Sequence, residues 1–138
     1  MGLVWKVRRW MMDFELSFYN ALASIFISEQ NHPLERDGCF FHFRKDVIQM
    51  VCSTKLGFYE LYFYSENDNF KIVVKCWCSL AYVPIPEVHN SVTILTRWTL
   101  RQYPTMDGFI IYFVKTWCGL PGSNGGRFKL EFWNIRDR

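Results

Sequence analysis

Apolar positions recur along residues 13–27 at spacings of three and four: Phe14, Phe18, Ala21, Leu22, Ile25 and Phe26. Such spacing gathers them on one face of a helix, and Asp13 stands where an N-cap would. Residues 28–38 are polar, contain Pro33 and Gly38, and read as a loop. The aromatic burst CFFHF at 39–43 reads as a brief buried strand. Phe43, Val47, Ile48 and Val51 then return to helical spacing, with Gly57 as the stop.

From Ser65 onward the pattern is helical. Ser65 and Asp68 approximate a capping box, and Phe70, Val73, Val74, Trp77, Leu80 and Ala81 form the stripe behind it. Pro84 and Pro86 end that helix, while Pro86 is tolerated in the first turn of the next, whose apolar side is Val88, Val92 and Leu95. A last helix is expected over 107–117, with Ile110, Phe113, Val114 and Trp117 inward and Gly119 at its C-terminal cap. The segment GLPGSNGG reads as flexible. Beyond it Phe128, Leu130 and Phe132 alternate with Lys129 and Glu131 at strand period.

Composition changes this picture in one respect. The chain has 138 residues, the size of a single domain, and is 50% hydrophobic and 19% aromatic. That aromatic content excludes a disordered chain and leads to the expectation that some rings face a partner. The 16 basic and 13 acidic residues give a net charge of +3, too little to imply nucleic-acid binding. Five cysteines without a secretory pattern argue against a disulfide framework and for a reducing, intracellular setting. Lys6, Arg8 and Arg9 break up the apolar start, and no apolar run is long enough for a membrane span.

The chemistry-bearing residues narrow the function classes. The glycine cluster has no Lys-Ser/Thr after it, so a phosphate-binding loop is excluded. No order of Ser, Cys, His and Asp suggests a nucleophile with its base. Cys76 and Cys78 lie two apart on a helix, face different ways and read as packing residues. Cys39 and His42 have the two-residue gap that can bring a thiolate and an imidazole to one metal, but neither His32 nor His89 belongs to a second such pair, so no structural zinc is expected. Cys39 then reads as a small core residue and His42 as a hydrogen-bonded residue at a helix start.

Five phrases, MDFELSFYNAL, GCFFHFRKDV, LAYVPIPEV, YFVKTWCG and LEFWNIRDR, stand in an order and at gaps that resemble an internal piece of the MULE (Mutator-like element) transposase domain. From first to last they span nearly all of residues 11–138. The resemblance implies an α/β, ribonuclease H-like fold, here partial and mostly helical, with a helical insertion and few short strands. It divides the chain into a ribonuclease H-like part over 1–58, the insertion over 59–119, and a loop with a terminal strand over 120–138.

The intact family is a DDE-type enzyme in which three acids hold Mg2+ or Mn2+ for phosphodiester cleavage and strand transfer at DNA. Two such cations activate the attacking oxygen and stabilise the leaving one. Asp13 matches the second acid, the catalytic and metal-binding position; read from the residues alone, it is a helix cap. Cys39 and His42 match the family's C-x-x-H signature. The first and third acids have no counterpart here, Met12 replaces a small or hydroxylated residue, and Val114 replaces a glutamate.

The resemblance therefore implies a stretch that holds no metal stably and does not cut DNA by itself. It also implies a nuclear setting, weak and nonspecific DNA contact at most, and a protein partner taken through aromatic faces that the family's first three strands would otherwise cover. An interaction module derived from a transposase is the alternative.

Overall fold

A computed structural model describes residues 9–12, 35–53, 58–64 and 68–136, with the single positions 14, 17, 20, 21, 24 and 66. The described chain is mostly helical, as its stripes predict. Strands β1 (Arg9–Met12) and β2 (Glu35–Gly38) precede the helices α1 (Phe40–Cys52), α2 (Phe58–Tyr64), α3 (Asn69–Ser79), α4 (Val88–Gln102), α5 (Asp107–Phe113) and α6 (Leu130–Trp133). Short 3-10 turns at Leu80–Tyr82, Ile85–Glu87 and Pro104–Met106 join them, and a π-helical turn, Val114–Cys118, continues α5.

β1 and β2 are parallel, Arg9 opposite Glu35 and Met12 opposite Gly38. Parallel neighbours cannot be joined by a hairpin and need a crossover. In the connecting stretch Ser17, Asn20, Ala21 and Ser24 are helical and exposed, so Ala21 does not join the buried stripe assigned to it. Phe14 lies just before these residues and is half-buried against the core. Phe18, Leu22, Ile25 and Phe26 lie outside the described residues, as do Gly57 and Ser65.

Three expected elements differ. Residues 35–38, read as loop, form β2; their charged run carries no apolar alternation, and the pairing with β1 is made across the chain. CFFHF is not a strand but the opening of α1. Cys39 is extended, its carbonyl accepts the Phe43 amide at 3.0 Å, and Phe43, Val47 and Val51 then fall at four-residue steps on the buried side. The alternation at 128–132 is likewise not a strand: Leu130–Trp133 form one helical turn. In α2, Phe58 and Tyr62 are buried one turn apart, while Tyr59 and Phe63 are exposed.

The stripe of α3 is buried as expected from Phe70 to Ala81. In α4 Val88 and Val92 are buried, and so is Thr99, whose hydroxyl accepts the Trp77 indole N–H at 3.0 Å. That bond satisfies a polar group which would otherwise cost about 1–3 kcal/mol to bury.

Most of the large rings are inside. Phe43 stacks on Trp133 with ring centres 5.0 Å apart and meets Trp117 edge-on at 4.8 Å. Phe14 meets Trp117, Phe128 and Phe132 edge-on. The high aromatic content thus builds a core, although Phe41 stays 65% exposed.

Candidate functional site

The site follows from the strand pair. Because β1 and β2 are parallel, their carboxyl ends, Met12 and Gly38, lie at one edge, with Cys39 directly after β2. Asp13 directly follows β1 in sequence but lies outside the described residues. Asp37, which sequence reasoning passes over as a loop residue, is on β2 opposite Met11 and is buried. The residue interacts with others in the fold. A short charged run such as ERDG gives no sign that one of its acids will be covered.

Cys39 and His42 stand at the start of α1, just after β2 and one turn apart. Cys39 occupies the N-cap position without a side-chain capping bond. Both residues are half-buried. His42 differs from its expected role: its Nδ1 atom is buried and has no hydrogen-bond partner among the described residues, and its ring meets Phe41 edge-on at 5.7 Å.

Among the described residues, no three His, Cys, Asp or Glu side chains converge in a way that could hold a metal ion. Two hard cations need several carboxylate oxygens between them. The described residues at this edge do not meet that requirement.

The second part of the region is the π-helical turn. Its closing bond runs from the Gly119 amide to the Val114 carbonyl at 2.7 Å. Turns of this kind leave carbonyls without intrahelical partners. The returning chain takes them up: the Lys115 carbonyl accepts from the Arg127 amide, the Thr116 carbonyl from the Phe128 amide, and the Trp117 carbonyl from the Trp133 indole at 2.8 Å. His89 Nε2 lies 2.7 Å from the Cys118 carbonyl. GLPGSNGG is therefore a bonded return. A Cβ on Gly126 would run into the Lys115 carbonyl oxygen, so a glycine is needed for the close approach.

Asn134 belongs to the phrase LEFWNIRDR but has no role assigned from sequence, and it is buried. Its Nδ2 donates to the Val83 carbonyl at 2.7 Å, and the Ile135 amide donates to the Ala81 carbonyl at 2.8 Å. The chain after α6 is thereby tied to the proline-containing turn after α3.

The cysteines support packing more than chemistry. Burial pushes the Cys78 thiol up to about 11, with Arg44 partly offsetting it, and pushes Cys118 up to about 11 as well. Thiolates are the reactive form, so Cys78 and Cys118 should resist a thiol reagent at pH 8 in the folded chain, while half-buried Cys39 and Cys76 react first. Both raised thiols favour the protonated folded state, so their contribution to stability is full below about pH 9 and is lost as pH rises through about 11. Reagent uptake with and without urea checks the first point, which rapid labelling of all five thiols in the folded chain would contradict. Urea midpoints between pH 8 and pH 11 check the second, which a midpoint that does not fall with rising pH would contradict.

Comparison with protein-family models, with curated proteins and with solved structures finds no match for this chain. No described helix is long and apolar enough to cross a membrane.

Proposed function

We propose that these 138 residues are part of a MULE-type DDE transposase domain with a ribonuclease H-like architecture, and that this stretch alone does not cleave DNA. One observation carries the reading: described residues from each of the five phrases that resemble the family, far apart in sequence, pack or hydrogen-bond with one another. Phe14 of the first, Phe43 of the second and Trp117 of the fourth are in ring contact with one another or with Trp133 of the fifth. Ala81 and Val83 of the third accept hydrogen bonds from Ile135 and Asn134 of the fifth.

The parallel strand pair supports the chemical side of the reading. Asp13 directly follows β1 in sequence, and an acid that follows the carboxyl end of a parallel strand is of the kind that can project toward a ligand. In this reading Asp13 is the second acid of a metal-binding triad, Cys39 and His42 support the chain beside it, and DNA in a nuclear setting is the substrate of the intact enzyme. One matched acid cannot position two cations.

Incubating the 138-residue chain with labelled duplex and either Mg2+ or Mn2+ should give no nicks or joined products. Metal-dependent cleavage that disappears in Asp13→Ala would show that a complete site is present and would overturn the second half of the proposal.

A further inference from the structure

The outer face of α4 is both apolar and basic. Val88, Val92 and Thr99 are buried on one side of this helix. Asn90, Thr93, Ile94, Arg97, Trp98 and Arg101 turn away from it, and at about 100° per residue they fall on the opposite side, within one continuous face. Ile94 is 60% exposed and Trp98 36%. No acidic residue occurs anywhere in residues 88–106. Arg97 and Arg101 are one turn apart, about 6 Å along the axis, with Trp98 beside them.

We propose that this face binds a single strand of nucleic acid without sequence preference. Charge complementarity selects the occupant: two guanidiniums in a row with no carboxylate on their helix suit a polyanion. The exposed indole adds what a duplex cannot use, a flat π-surface on which an unpaired base can stack. Exposed Asn90 supplies a hydrogen-bonding group of the kind that contacts sugar and phosphate, while the Thr93 hydroxyl donates to the His89 carbonyl. The inference stands on this face alone and does not depend on the family reading, so its failure would leave that reading untouched.

The test is fluorescence anisotropy of a labelled mixed-sequence single-stranded oligonucleotide, and of the corresponding duplex, titrated with the full chain at two or more salt concentrations. The single strand should bind more tightly than the duplex. Trp98→Ala should weaken single-strand binding by roughly 5- to 150-fold with the salt slope unchanged. The double change Arg97→Ala with Arg101→Ala should make the log–log salt slope shallower by about 1.4, about 0.7 for each phosphate no longer neutralised. Lys129→Ala, an exposed cation outside α4, should leave the slope as it was. Unchanged circular dichroism establishes that each variant is folded. No binding by the parent chain, an equal loss in Lys129→Ala, or a silent Trp98→Ala would overturn the proposal. So would self-association of the parent chain that Trp98→Ala abolishes, because the face would then serve a protein contact.

Discussion

Phe43→Ala is expected to destabilise the chain by about 3–5 kcal/mol, the usual cost of removing a large buried ring. Phe43 is fully buried where α1 meets the end of α5, the π-helical turn and α6. The variant has neither the stacking on Trp133 nor the edge-on packing against Trp117, and the indoles cannot close the gap without breaking the bond from Trp133 to the Trp117 carbonyl. Whole domains are stable by only about 5–15 kcal/mol, so a large part of the folded population is at stake. Urea unfolding followed by tryptophan fluorescence measures the effect. A change below about 1 kcal/mol, far under the usual range for a buried ring, would mean that the rings around Phe43 do not form a packed core.

Gly119→Ala is expected to be nearly as damaging, for a backbone reason. Gly119 has φ +65° and ψ −173°, a region essentially reserved for glycine, and other residues held in such strained regions cost about 1–3 kcal/mol each. A methyl group there would also collide with the Gly125 carbonyl and the Ser123 hydroxyl. Because the Gly125 atom is main chain, the clash cannot be relieved by turning a side chain. The returning segment would have to move, and with it the amides of Arg127 and Phe128 that satisfy the π-helical carbonyls. Gly122→Ala provides the comparison: it also has positive φ, but its new methyl group would meet nothing within 4 Å. It should cost markedly less. Equal midpoints for the two variants in urea would contradict the close-approach account.

The parts of this fold that can be read from sequence are those in which one helix buries one face. The stripes at 70–81 and 88–95 recur over three turns or two, long enough for the helical period to separate from that of a strand. At 128–132 the apolar alternation ends in a four-residue helix, and a single turn is too short for its period to be distinguished. CFFHF misleads for a related reason. Four aromatic rings in five positions, counting His42, show no face, and Cys39 makes no side-chain cap that would mark a helix start. β2 is invisible locally because its side chains are charged and its place is fixed by pairing with residues 9–12.

The site is legible only as chemistry. Asp13, Cys39 and His42 follow from residue type and from the family phrases, whereas the burial of Asp37 and the anchoring role of Asn134 arise from segments far apart in sequence. The π-helical turn has no composition signal either. Its geometry is set by Gly119 closing back on Val114 and by amides arriving from residues 126–128.

The most direct test of the family assignment is the coding sequence on both sides of these 138 residues, read from the genomic locus and from its transcript. The account predicts an acid at the end of a strand-patterned segment upstream of Asp13. It also predicts a helix-patterned segment bearing a glutamate downstream of Asn134, which together with Asp13 would complete the metal-binding triad. A reading frame that extends well beyond both ends and contains neither acid would contradict it.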